Sequence, residues 1–176
     1  MRYSCLNRFR ILLHIAIFGI TALELPAAQA ATSTTSFQVT ATVLSACGVS
    51  TPLTLALGIY NPSAATALVS TTSFTVICSI GTPYSLGMSA GLHTGATVTT
   101  RKMTSPTATA GSNVLAYGLF KDASLSTNWD NSISAIGYSG TGLSQLYTVY
   151  GSIPANQYGA TTAIDYADTI TLTLTY

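Results

Sequence analysis

Along most of the chain, apolar and polar positions alternate with a period of two, the spacing that puts successive side chains on opposite faces of a β-strand. Phe37, Val39, Ala41 and Val43 are separated by Gln38, Thr40 and Thr42. Leu53, Leu55, Leu57 and Ile59 share one parity, and Phe74, Val76 and Cys78 share another. The pattern returns at Tyr84–Met88, Leu115–Leu119 and Tyr147–Val149, and it is most regular at Ile170–Tyr176. Beyond the first thirty residues no window sustains an apolar helical face. Between the runs stand Asn61-Pro62, Gly81-Thr82-Pro83, Gly111-Ser112-Asn113, Gly140-Thr141-Gly142 and Ile153-Pro154, all turn or loop chemistry. Seven or eight short strands with such punctuation predict an all-β sandwich or barrel. Two segments, Ser63–Ser70 and Asp122–Ser144, lack a clear period and read as loops or short edge pieces.

The N-terminus reads differently. Arg2, Arg8 and Arg10 precede an apolar stretch, Ile11–Leu23, and then Pro26-Ala27-Ala28-Gln29-Ala30. That order predicts a secretory signal, residues 1–30, cleaved after Ala30. The stretch is shorter than the roughly 20 residues of a bilayer-spanning helix, which disfavours a retained anchor. The remaining length suits one domain.

Composition narrows the function. Only 6% of the 176 residues are charged, against roughly a quarter in ordinary globular domains, and the formal net charge is +1. Beyond residue 30, Arg101, Lys102 and Lys121 face Asp122, Asp130, Asp165 and Asp168. Such a chain has no field to draw nucleic acid or an acidic membrane surface. Hydrophobic residues make up 48% of it, ample for a buried core.

Candidate chemistry is sparse. Cys47 and Cys78, in an exported chain, read as a single disulfide, with two buried thiols as the alternative. Closing that loop would restrict the unfolded state by roughly 3.5–4 kcal/mol. His93 is the one histidine of the expected mature chain, too few for a metal site with those sulfurs or for a hydrolase base, and no Gly-x-Ser-x-Gly elbow is present. Asp165 and Asp168 read as turn caps before the last strand rather than as an acid–base pair. Arg101-Lys102 reads as a solvated loop able to contact a partner, and Trp129 as core or loop packing. No cofactor is expected, and no enzymatic activity.

The two ends suggest a relationship. The most regular strand closes on Tyr176, whereas the run Phe37–Val43 is preceded only by the polar residues 31–36. A sandwich short of one strand would expose apolar core at a cost of roughly 1.5–3 kcal/mol per large side chain. A strand lent by another molecule would satisfy backbone and core together.

From Phe37 to Tyr176 the sequence resembles the spore coat protein U domain, the fold of archaic chaperone–usher pilus subunits. The likeness is carried by Ala46-Cys47-Gly48-Val49, Leu57-Gly58-Ile59-Tyr60 and Phe74-Thr75-Val76-Ile77-Cys78. It continues through Leu115-Ala116-Tyr117-Gly118-Leu119-Phe120-Lys121-Asp122, Trp129, Val149–Gln157 and Asp165-Tyr166-Ala167-Asp168-Thr169.

The resemblance implies an incomplete immunoglobulin-like β-sandwich that lacks its last strand and is completed by a donor strand. It implies three segments: the signal 1–30, a donor-strand extension 31–46 and a pilin body 47–176. Phe37, Val39, Ala41 and Val43 would enter a neighbouring subunit, while Ile170, Leu172, Leu174 and Tyr176 would border the acceptor groove. The family disulfide maps to Cys47 and Cys78. Implied partners are a periplasmic pilus chaperone, an outer-membrane usher and neighbouring pilin subunits. The setting would be a surface pilus, or a spore or cell coat, serving adhesion and biofilm formation. The length implies a shaft or adaptor subunit rather than a two-domain tip adhesin. Two other classes share part of the pattern: an eight-stranded outer-membrane β-barrel, which also alternates and ends on an aromatic residue, and a secreted carbohydrate-binding sandwich, for which a single tryptophan gives little support.

Overall fold

The computed structural model describes residues 29–109, 111–132 and 137–176; the signal expected at 1–30 lies almost wholly outside them. The chain divides into two units, Met1–Thr40 and Ala41–Tyr176. In the first, residues 29–40 carry no strand and are exposed. The second is all-β among its described residues, with eight strands in two antiparallel sheets, an immunoglobulin-like β-sandwich.

One sheet has five strands: β1 (Cys47–Val49), β2 (Leu68–Cys78), β7 (Gln145–Ile153), β5 (Val114–Phe120) and β4 (Arg101–Thr104), in the spatial order β1-β2-β7-β5-β4. The other has three: β6 (Tyr138–Ser139), β3 (Pro83–Met88) and β8 (Leu172–Thr175), in the order β6-β3-β8. Among the described residues both sheets are open, so these strands do not close into the barrel considered from the sequence.

The alternation decides which side chains meet between the sheets. Phe74, Val76 and Cys78 of β2, Leu115, Tyr117 and Leu119 of β5, and Val149 and Ile153 of β7 face Tyr84, Leu86 and Met88 of β3, all buried. The intervening positions of β2 (Val69, Thr71, Ser73, Ile77) face outward. The β2–β7 ladder pairs Leu68 with Ile153 through to Val76 with Gln145, and β3–β8 pairs Leu86 with Leu174 and Met88 with Leu172.

Several sequence expectations need correction. Leu53–Ile59 alternates but forms no strand, because Leu55 and Leu57 fold over Gly151 of β7 while Leu53 and Ile59 point to solvent. The end of the segment read as a loop, Leu68–Ser70, belongs to β2. The last strand is shorter than its alternation: Ile170 precedes it and Tyr176 follows it.

Arg101 is the largest surprise. Read as a solvated loop residue, it opens β4 and is completely buried. Its guanidinium donates to the carbonyls of Ser89 (2.9 Å), Val98 (2.5 Å), Met88 (3.1 Å) and Trp129 (2.7 Å). It thereby ties the end of β3 to the loop that carries Trp129.

Candidate functional site

A five-stranded sheet faced by only three strands leaves part of its inner surface without a strand opposite. There the structure has an open groove of about 1200 Å³, lined by residues of the second unit. Its floor is core: Met88, Leu115, Tyr117, Leu119, Val149 and Ile153. Its two walls are segments without regular strand, residues 50–60 on one side and 160–170 on the other, the latter leading into β8.

The first wall is pinned at intervals. Ser50 N–H donates to the Thr75 carbonyl (2.9 Å), and its Oγ accepts from Thr75 N–H (2.8 Å). Thr72 Oγ1 donates to the Leu53 carbonyl (2.8 Å). At the far end, Tyr60 Oη donates to the Pro154 carbonyl (2.8 Å) and accepts from Gln157 N–H (2.9 Å).

Gln157 extends this junction. β5 and β7 pair from Phe120–Tyr150 to Gly118–Ser152. Two residues further along, β7's continuation is Pro154, which has no N–H to give. The Gln157 amide takes over, accepting from Ala116 N–H (2.8 Å) and donating to the Ala116 carbonyl (2.8 Å), so a side chain stands in for one backbone pair.

The second wall is held to the opposite end of the sheet. Thr104 and Ala167 exchange two backbone hydrogen bonds of 3.0 Å, and Thr161 N–H donates to the Ser112 carbonyl (2.8 Å). The Asp165 carboxylate accepts a short hydrogen bond from Ser105, and this bond, followed by one from Thr107, holds its pKa below the usual carboxylate range. Asp168 accepts from Leu92 N–H and Thr169 N–H (2.8 Å each) and from Tyr117 Oη (2.7 Å). Burial, reinforced by that bond, pushes the Tyr117 phenol well above its ordinary value. The two aspartates fasten this wall, with separate partners.

The expected residues fall into three groups. Cys47 and Cys78 are disulfide-bonded and are paired residues of the β1–β2 ladder. Ile170 and Leu172 line the groove; Leu174 is half-buried opposite Leu86, and Tyr176 is exposed beyond the end of β8 and away from the groove lining. Phe37, Val39, Ala41 and Val43 form no strand and are exposed; the unit boundary runs between Val39 and Ala41. Sequence reading missed Leu55, Leu57 and Tyr60 as a wall, and it missed Gln157 and Arg101. For Arg101 a signal existed: it is the only arginine after the first ten residues of a charge-poor chain.

The groove lining is mainly aliphatic, with Thr hydroxyls, three tyrosines and Asp168 among it, and among the described residues no group of three His, Cys, Asp or Glu is placed to hold a metal. On its open side, β8 has no strand partner besides β3 among the described residues. An apolar trough beside an unpaired strand edge has the shape and chemistry on which an extended peptide with alternating apolar side chains can dock.

The second unit is thus an open β-sandwich with an apolar groove beside β8. The chain belongs to the Spore Coat Protein U domain family, whose model matches residues 33–173. Among solved structures it is similar to a chain in the CsuC–CsuE chaperone–tip adhesion subunit pre-assembly complex from archaic chaperone–usher Csu pili of Acinetobacter baumannii. That similarity has 25% identity and a TM-score of 0.48, covering 77% of this chain and 41% of that one. This chain therefore spans less than half the length of that one. No curated protein matches.

Proposed function

We propose that this protein is a structural subunit, not an enzyme, of a secreted surface fibre of the archaic chaperone–usher kind or of a spore or cell coat, and that it polymerises by donor-strand exchange. The observation that carries the reading is the trough beside the free edge of β8, in a chain whose own alternating segment Phe37–Val43 is exposed and unpaired as a strand. Inserted as a strand, that segment would cap the β8 edge with main-chain hydrogen bonds. Phe37, Val39, Ala41 and Val43 would bury against Met88, Leu115, Val149 and Ile153, stabilising the complex by roughly 1.5–3 kcal/mol for each fully buried large side chain. The lips Leu53, Ile59 and Ile164, exposed in the free body, would close over it.

Before assembly the trough needs a temporary occupant, the role of a periplasmic chaperone, with an outer-membrane usher as the place of exchange. Export depends on the signal 1–30. The fibre or coat serves attachment and biofilm formation.

The test is a charge in the donor. Val39→Asp or Val43→Asp would place a carboxylate in an apolar trough. The variants are expected to keep the body's fold, by circular dichroism and disulfide content, and to lose the ladder of detergent-resistant oligomers. An undiminished ladder from both would overturn the donor assignment.

A further inference from the structure

A second apolar surface lies at the other end of the extension. Ile77, Ile80, Leu143 and Leu146 are between 52% and 82% exposed. Ile77 points outward from the end of β2, with its side chain over Gly48 of β1. Leu146 points outward from β7 opposite Thr75, one step along the same face. Ile80 and Leu143 stand beside the left-handed glycines Gly81 (φ 77°) and Gly142 (φ 76°), and the Ile80 side chain abuts Gly142. These turns are locked together by Gly81 N–H to the Gly140 carbonyl (2.9 Å) and Gly142 N–H to the Cys78 carbonyl (3.0 Å). Turn tips ordinarily carry polar residues, and contiguous exposed aliphatics there mark a contact surface. No charged residue occurs in 44–50, 75–84 or 140–148, so nothing in these segments opposes burial.

The position of the patch identifies its occupant. The chain leaves the body here: Ala46's carbonyl accepts from Ser79 N–H (2.9 Å), and the adjacent Cys47 is bonded to Cys78. Between Val43 and the held Ala46 lie only Leu44 and Ser45, a reach of about 10 Å at full extension. A copy whose groove holds Val43 must therefore sit against this end of the donor's body.

We infer that Ile77, Ile80, Leu143 and Leu146 form a contact with a second copy of this chain, namely the copy that receives its extension. The inference rests on the donor-strand reading, adding a body-to-body interface to the strand link. This contact restricts swivelling at the two-residue linker and gives the polymer a defined angle between successive copies.

Photo-cross-linking separates the two ideas. p-Benzoylphenylalanine placed at Leu146 in the full chain is expected to join two copies covalently within oligomers purified from expressing cells, whereas the same probe at the exposed Ala123 is not. The variant Ile80→Asp with Leu143→Asp changes only turn-tip residues. It is expected to keep the detergent-resistant ladder and lose most of the Leu146 cross-link. A ladder without a copy-to-copy cross-link from Leu146, a cross-link to a different polypeptide, or undiminished cross-linking in the double Asp variant would overturn the interface while leaving strand exchange standing. Absence of any ladder from the unsubstituted chain would overturn both.

Discussion

The two lateral sides of the sandwich are built from the same kind of alternating strands and end differently. On the β6 side, aromatic rings fill the space between the sheets: Phe74 stacks on Tyr147 at 5.4 Å, Tyr84 stacks on Tyr138 at 5.4 Å, and Tyr138 meets Tyr147 edge-on at 5.3 Å. Trp129, 1% exposed, packs at a tilt against Phe74 and lies beneath the Lys121 ammonium. The phenols satisfy one another, with Tyr84 and Tyr147 hydroxyls 2.5 Å apart and Gln145 accepting from Tyr84 (3.0 Å). On the β8 side the lining is mostly aliphatic, with Tyr60, Tyr117 and Tyr166 among it, the walls form no regular strand, and the trough stays open. One side is sealed by large rigid rings that reach across the gap. The other leaves an open groove of about 1200 Å³.

Four measurements would sharpen or break this contrast. Trp129→Ala should cost the most, about 4 kcal/mol in urea unfolding, because it empties a fully buried ring site on the closed side. Arg101→Met should cost about 3 kcal/mol, since it leaves the carbonyls of Ser89, Val98, Met88 and Trp129 without their buried donor. A near-neutral outcome would mean that water enters this joint and that the closed side is less closed than described.

Alkaline titration comes next. Burial first, and then the hydrogen bonds to Asp168 and Tyr84, raise the Tyr117 and Tyr147 phenols above their ordinary values. A group whose folded pKa is raised contributes its full stability below the unfolded pKa, about 10 for tyrosine, and loses it as pH rises toward the folded value. The urea midpoint should therefore fall above about pH 10, and Tyr147→Phe should lessen that fall. Gly151→Ala should have the smallest effect, about 1 kcal/mol. The new methyl would press on Leu55, a side-chain tip on the less firmly held wall, and hydrogen exchange should rise in residues 51–60. A penalty as large as that of Trp129→Ala would make the open wall as rigid as the sealed side and abolish the distinction.

Much of this was legible in the residues themselves because strand alternation is a local property. Phe74–Cys78, Tyr84–Met88, Leu115–Leu119 and Tyr147–Val149 all read as strands and all lie in strands. Cys47 and Cys78 read as a bond because they are the two cysteines of the expected exported, mature chain, and they are bonded. Failures came where long-range contacts overruled local pattern. Leu53–Ile59 alternates as well as any strand, yet only Leu55 and Leu57 find a surface to cover, above Gly151. Arg101 looks solvated beside Lys102 because nothing local shows that carbonyls from residues 88, 89, 98 and 129 converge on it.

The order of amino acids determined by itself the all-β character and the inward and outward faces of most strands, since each depends on neighbours one or two residues apart. Only the tertiary structure decided that five strands face three, that the resulting trough runs along β8, and that Ile77, Ile80, Leu143 and Leu146 gather where the extension departs. Those features depend on which strands become neighbours across the sandwich, a choice made by the burial of the whole core and not by any one segment.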